Sequence, residues 1–255
     1  MGNRRKRRAV RKRSLRWRLL RALLWLIAVF VLLSWLPVLV LRFVPPPSSA
    51  FMLERRIAAR LDHDRNFRLH YRWVPWSQIS PQVPLAMVAS EDQKFPFHHG
   101  FDVSAIQDAI ADADQGERLR GASTISQQTA KNLFLWGGRS FLRKGLEAWF
   151  TVLIEATWPK QRILEVYVNI AELGNGIYGV GAASTRYFGL PASRLNAHQA
   201  ALLAAVLPNP RRLHADQPSA YVERRAQWIE QQMLQLGGTS YVTSPHPRQP
   251  SSDTP

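Results

Sequence analysis

Between Ser90 and Gly100 the chain reads SEDQKFPFHHG. Two carboxylates, Glu91 and Asp92, stand beside Phe95 and Phe97, with Lys94, His98 and His99 close in sequence. An apolar wall desolvates a carboxylate, and a helix C-terminus disfavours its negative charge. Both effects raise its pKa toward the range that suits a general base or acid. The plainer alternative is a loop in which Asp92 pairs with Lys94 or a histidine and Glu91 is solvated. Adjacent histidines point apart and no third ligand is evident, so no metal site is read from His98 and His99.

A second constellation lies in GASTISQQTAKNLFL, residues 121–135. On a helical wheel, Ser123, Thr124, Gln127, Gln128 and Lys131 fall within an arc of roughly 140°. Ile125, Ala130 and Leu133 lie on the other side. Hydroxyls, amides and one cation near a helix N-terminus suit a sugar diphosphate, although an ordinary amphipathic helix has the same outer face. In RSFLRKGLEAWF, Arg139, Arg143 and Lys144 cluster ahead of Glu147. Glu147 is either the i, i+4 ion partner of Arg143 or a second carboxylate beside anion-binding cations. Paired carboxylates in unlike environments are the usual apparatus of glycosidic chemistry. Whether Glu91 and Glu147 meet is not legible from a spacing of 56 positions.

Helices must carry most of these residues. Pro84 to about Gln93 reads as a short helix entered through Ser80 and Pro81. Asp102 can cap a helix carrying Ile106, Ala109 and Ile110, and Ser123 or Thr124 can start the next. Leu142, Leu146, Trp149, Phe150 and Leu153 recur at helical spacing. Lys160 to Glu172 follows, with Ile163, Leu164, Tyr167 and Val168 on one face. Asn196 and Gln199 form a capping-box pattern ahead of a helix that Pro208 stops. Ser219 to about Leu236 is the last helix. Strand signals are confined mostly to Arg68–Val74, so the fold class is mainly α. NLFLWGGRSFL, residues 132–142, is either core or an apolar lip at a membrane interface.

The ends differ from this middle. At 255 residues one domain is the first expectation. Residues 1–21 hold eleven Lys or Arg and no acid, leaving 23 basic against 18 acidic residues elsewhere. Ala22–Leu41 is twenty residues without a charge, enough to span a ~30 Å hydrocarbon core. Trp17, Trp25 and Trp35 are candidate interfacial anchors. The run exceeds the ~7–15 residues of a signal-peptide core, which favours an uncleaved anchor over a leader ending near Ser48–Ala50. The basic arm then reads as cytoplasmic and the rest as exported; nucleic acid is not expected as its partner. The absence of cysteine fits an exported domain without disulfides. The expected organisation is a basic arm (1–21), an anchor (22–41), a linker and juxtamembrane segment (42–66) with PPPSSA as a stiff spacer, a domain (67–236) and a disordered tail (237–255).

Five stretches, SEDQKFPFHHGFD, GASTISQQTAKNLFL, RKGLEAWF, KQRILEVYVNIAELGNGIYGVGAAS and LNAHQAALLAAVLPNP, occur in the order of the five motifs of family 51 glycosyltransferases. The chain resembles the polymerase domains of class A penicillin-binding proteins over about Phe67–Asn209. It is similar to monofunctional biosynthetic peptidoglycan transglycosylases, because no Ser-x-x-Lys appears and no transpeptidase follows. The resemblance implies a lysozyme-like fold and polymerisation of lipid II, with a bacterial inner-membrane anchor and a periplasmic domain. It implies Glu91 as the catalytic base and Glu147 as a second essential acid. Ser123, Gln127, Gln128, Lys131, Arg139 and Arg143 match positions lining the donor and diphosphate groove. Asp92, Thr124, Asn132 and Lys144 are expected to join them in substrate binding. The implied partners are lipid II, the nascent glycan strand and membrane lipid, with cell-division or cell-wall synthesis proteins as further candidates. No cofactor is assigned; a divalent cation, Mg or Mn, is an option at the diphosphate. Ala122, His99 and Thr129 depart from common family residues without touching a proposed catalytic group. The rival readings are a peptidoglycan-cleaving enzyme on a lysozyme-like fold and a non-catalytic cell-wall scaffold.

Overall fold

The computed structural model describes the backbone of residues 3–105, 107, 123–138 and 140–244, and side chains from residue 15 onward. It divides into two units, residues 1–44 and 45–255.

The first unit is one helix, α1 (Asn3–Leu41), which runs without a break from the basic arm into the apolar run and contains Pro37. Its stretch Leu15–Leu41, 27 residues with an 18-residue window of mean hydropathy 2.7, is long and apolar enough to cross a membrane. Trp25, Leu26, Leu32 and Leu33 are exposed along it, a surface suited to lipid rather than water.

The second unit opens with a helix that the sequence reading had placed within a linker. Helix α2 (Ala50–Leu61) is capped by Ser49, whose side chain accepts the Met52 N–H. Only Met52 of this helix is buried, so a search for a core-facing stripe passes over it.

The core is assembled from helices α3 to α9. Helix α3 (Gln82–Glu91) buries every residue from Val83 to Ala89 and packs against α8 (Ala197–Ala205) and α9 (Ala220–Gln235). Helix α4 (Ile125–Phe134) packs against α5 (Phe141–Thr157) and α6 (Lys160–Ile170). The expected capping box of α8 is present: Asn196 Oδ1 accepts the Gln199 N–H at 2.8 Å and Gln199 Oε1 accepts the Asn196 N–H at 3.2 Å. Asp102 Oδ1 accepts the Ala105 N–H, as a cap would. The rest of the helix expected there lies outside the described residues.

Three expectations change. Helix α6 ends at Ile170, and Glu172 enters a hairpin instead: β2 (Glu172–Gly174) and β3 (Ile177–Tyr178) pair antiparallel around Asn175 and Gly176. Gly176 has φ +72°, and a Cβ there would stand 2.6 Å from the Arg68 carbonyl oxygen, so the turn requires glycine. On its other side β3 pairs in parallel with β1 (His70–Tyr71), the strand signalled by Arg68–Val74. Helix α7 (Gly179–Phe188) follows.

In α5 the inward row is Glu147, Thr151, Leu153 and Ile154, rotated from the apolar stripe read from sequence. Leu142 of that stripe is exposed, and Phe150 stacks on Phe134 with ring centroids 4.5 Å apart. The tail begins with order rather than disorder: α10 (Ser240–Thr243) buries Tyr241, whose hydroxyl donates to the Gln93 carbonyl oxygen at 2.6 Å. Residues 245–255 lie outside the described residues.

Candidate active site

Glu91 ends α3 and Asp92 is its C-cap. Both Asp92 oxygens lie 3.0 Å from His98 Nε2, and Oδ2 accepts the Ile125 N–H at 2.9 Å. His98 Nδ1 accepts the Gly100 N–H, which leaves the proton on Nε2, facing Asp92. Asp92 thus ties the loop after α3 to the first N–H of α4, where the helix dipole favours its charge. This is the histidine pairing weighed for Asp92 from sequence. The carboxylate is engaged by these partners, and with Glu91, Ser123 and Thr124 it also lines a cavity of about 160 Å³. Lys94 pairs instead with Asp102 at 3.7 Å.

Glu91 is held more loosely. Gln128 of α4 donates its Nε2 hydrogen to Glu91 Oε2 at 2.9 Å. The Tyr167 hydroxyl of α6 donates to Gln128 Oε1 at 3.2 Å, which fixes which way the amide points. From α9, an Arg225 guanidinium nitrogen lies 4.0 Å from Glu91 Oε1. Burial is the main influence and pushes the Glu91 carboxyl above its ordinary pKa. The Gln128 bond, Arg225 and Lys131 pull it back in that order, and Asp92 adds a small push upward. A carboxylate with one neutral donor and no close ion pair can take up and release a proton.

One turn along α4 from Gln128, the largely buried Lys131 ammonium sits 5.6 Å over the Phe51 ring of α2. Desolvation lowers its pKa most; Glu147 opposes that, Arg143 and Lys144 reinforce it, and Glu91 opposes it weakly. Lys131 therefore feels both carboxylates. Glu147 is buried, and each of its oxygens has a cation: Arg143 at 2.8 Å and Lys144 at 2.5 Å. Gln128, Lys131 and Asn132 line a cavity of about 180 Å³ with Phe51, Tyr167 and Tyr178.

The polar arc read from sequence divides in two. Thr124 and Gln127 form the capping box of α4: Thr124 Oγ1 accepts the Gln127 N–H and Gln127 Oε1 accepts the Thr124 N–H. Thr124 also donates to the Gly100 carbonyl oxygen at 2.7 Å. Both are buried and serve the helix end, whereas Gln128, Lys131 and Asn132 face the cavity. Ser123 is exposed just ahead of the cap. Arg139 lies outside the described residues.

Several contributors were not read from sequence. Arg225 sits among charged residues that look like an ordinary solvated helix face. Tyr167 was assigned to the core, where its ring indeed lies, but its hydroxyl reaches Gln128. Glu155 binds Ser126 of α4 and, at 2.8 Å, Lys160, which also donates to the His98 carbonyl oxygen. This buried network pins the loop carrying Asp92 to α4, α5 and α6.

The described residues do not by themselves form a resident cation site. Both Glu147 oxygens already hold cations, and among the described residues no group of three metal-ligating side chains occurs.

Residues 58–234 match the family described as Transglycosylase. Several bacterial proteins named biosynthetic peptidoglycan transglycosylase are similar along almost their whole length. That of Xylella fastidiosa strain M12 is 55% identical over 227 residues, 89% of this chain and 93% of the relative. That of Ectopseudomonas mendocina strain ymp is 56% identical over 238 residues, 93% and 96% of the two chains. That of Xanthomonas campestris pv. campestris strain B100 is 53% identical over 234 residues, covering 92% and 93%.

Proposed function

This chain belongs to the transglycosylase family, and from that premise we propose that it polymerises lipid II into β-1,4-linked glycan with Glu91 as the general base. The peptidoglycan transglycosylase activity carried in the relatives' names is the coarser part of the reading. Glu91 removes the proton from the 4-hydroxyl of the acceptor sugar. That oxygen bonds to the anomeric carbon of the growing strand as the bond to the diphosphate breaks. Undecaprenyl diphosphate departs with the electron pair, and the configuration at the anomeric carbon inverts. Arg143 and Lys144, bound to Glu147, and the nearby Lys131 supply fixed positive charge for the departing diphosphate. Glu147 acts by keeping these cations in place.

The observation that carries the reading is the setting of Glu91: partly buried, with a raised pKa, bonded to neutral Gln128 and with its nearest cation, Arg225, 4.0 Å away. The apolar helix α1 supports a single-pass anchor in the inner membrane, with the arm cytoplasmic and the domain periplasmic. The reading assigns glycan polymerisation without peptide cross-linking, since the sequence holds no Ser-x-x-Lys. Lipid II and the nascent strand are the substrates; cell-wall synthesis proteins are candidate partners.

The test is incubation of the purified chain with labelled lipid II in detergent, beside the Glu91→Gln variant. The expected result is a ladder of long, muramidase-digestible glycan from the parent and none from the variant. A folded parent that makes no polymer but shortens glycan in isolated sacculi would replace polymerisation with cleavage. A folded parent inactive in both assays would leave a scaffold.

A further inference from the structure

Leu53, Ile57 and Leu61 of α2 stand at i, i+4 and i+8, and they are 50%, 56% and 74% exposed. Residues at this spacing form one ridge along a helix. Arg56 and Arg60, also exposed, occupy the neighbouring ridge. The roll of the helix is fixed from its other sides. Met52 is fully buried, and Arg55 donates to Asn175 Oδ1 at 2.7 Å. Glu54 accepts the Gly137 N–H at 2.7 Å. The helix therefore cannot turn its apolar ridge inward without breaking these ties.

The cationic ridge continues past the end of the helix. Arg56, Arg60, Arg65 and Arg68 border an open depression of about 480 Å³ with Phe67 at its side. Arg68 is held beside Arg65 by hydrogen bonds to the carbonyl oxygens of Arg65, at 2.7 Å, and Phe67, at 3.0 Å. Asp64 is the acid on this rim, and its Oδ1 already accepts the N–H groups of Asn66 and Phe67. A row of apolar side chains flanked by arginines is the pattern of a helix lying in a bilayer interface. Only residues 42–49 separate the apolar span from α2, a tether of at most roughly 30 Å.

We propose that α2 is an interfacial membrane helix: Leu53, Ile57 and Leu61 enter the acyl boundary, and Arg56, Arg60, Arg65 and Arg68 bind the phosphates of anionic phospholipid headgroups. The proposal rests on the reading of α1 as a membrane anchor. Charge selects the occupant, because a protein groove suited to the apolar ridge does not by itself account for four arginines beside it. Phe51, on the same helix, contacts the Lys131 ammonium and lines the site cavity. Lipid docking of α2 thereby sets the cavity wall at the membrane surface, where a lipid-linked substrate arrives.

The chain has no cysteine, so single labels are straightforward to place. The full chain is reconstituted into vesicles with or without anionic lipid. An environment-sensitive fluorophore is attached at Ile57→Cys, Leu61→Cys or, as an exposed control, Ser193→Cys. The expected result is blue-shifted emission at 57 and 61, quenched severalfold more than at 193 by shallow bromolipid. That quenching falls severalfold when anionic lipid is omitted or when Arg56→Gln and Arg60→Gln are added. Labels at 57 and 61 as water-exposed as at 193, in protein that still floats with the vesicles, overturn the proposal. A shift in detergent that grows with protein concentration assigns the ridge to self-association and also overturns it. A chain stripped from vesicles by alkaline wash overturns the anchor reading and the proposal with it.

Discussion

The two carboxylates of the site, Glu91 with 18% of its side chain exposed and Glu147 with 3%, are held in opposite ways. Glu91, at the end of α3, has a neutral amide on one oxygen and a guanidinium no closer than 4.0 Å to the other. Glu147, on α5, has a cation against each oxygen. Burial of a poorly paired carboxylate favours its neutral form, whereas both oxygens of Glu147 are occupied by direct ion pairs. One group is left free to exchange a proton and the other is committed to organising charge. Unlike surroundings, rather than unlike side chains, divide the labour.

The comparison breaks most sharply on paired substitutions. Glu91→Gln keeps the shape and the Gln128 contact but removes the base. Polymer formation is expected to fall about 10³-fold, in the range of lost general-base catalysis, as read by initial rates on labelled lipid II. Its stability is expected to move the other way. The folded-state pKa of Glu91 lies above its unfolded value, so between the two the folded state keeps a proton that the unfolded state has lost. Stability falls as pH rises through that window. Glu91→Gln removes this loss, so its melting temperature should exceed the parent's at neutral pH. The two should converge below the ordinary carboxylate range. A variant that melts lower at neutral pH would contradict the account of Glu91.

Glu147→Gln is expected to cost both activity and stability. It leaves Arg143 buried beside a neutral amide and frees Lys144, a loss of about 2 kcal/mol in denaturant unfolding. Turnover should fall with it. If Glu147→Gln behaved like Glu91→Gln, inactive but more stable, the contrast between the two sites would be lost.

Arg225→Met is a finer probe. The groups facing Glu91 are Gln128, Lys131, Asp92, Tyr167 and Arg225 itself. Removing a cation raises a neighbouring carboxylate pKa, so the rising limb of the pH–rate profile should move to higher pH. Arg225→Lys should lie between the parent and Met. The limb of Lys131→Met should move the same way by less, together with a larger loss of turnover. The smallest effect belongs to Thr124→Ala, which removes the cap hydrogen bond of α4 and the hydroxyl's bond to the Gly100 carbonyl oxygen. It should cost about 1 kcal/mol in unfolding free energy and leave the pH profile in place. A displaced limb would mean that Thr124 touches the chemistry after all.

The helices of the core were legible because local rules state them. Asn196 with Gln199 and Ser219 at a helix entry name their own ends, and the faces of α6 follow from period. The site was legible in residue type, through Glu91, Gln128, Lys131 and Glu147. Helix α2 was not, because its outward ridge is apolar and its inward side presents chiefly Met52. The stripe of α5 misled for the same reason: hydrophobic period assumes that apolar residues turn inward, and here Glu147 and Thr151 do. Nor does a capping box distinguish itself from a binding face, since Thr124 and Gln127 carry the same polar atoms for either purpose.

The sequence by itself determined a mainly α domain behind an apolar helix, and placed two acids among cations and amides, because pattern and composition act over a few turns of chain. The tertiary structure alone decided which acid is free. Arg225 and Tyr167 reach the site from helices remote in sequence, Asp92 is withdrawn to His98 and α4, and Glu147 is enclosed by its own cations. Protonation depends on what surrounds a carboxylate in space, and spacing along a chain does not record that.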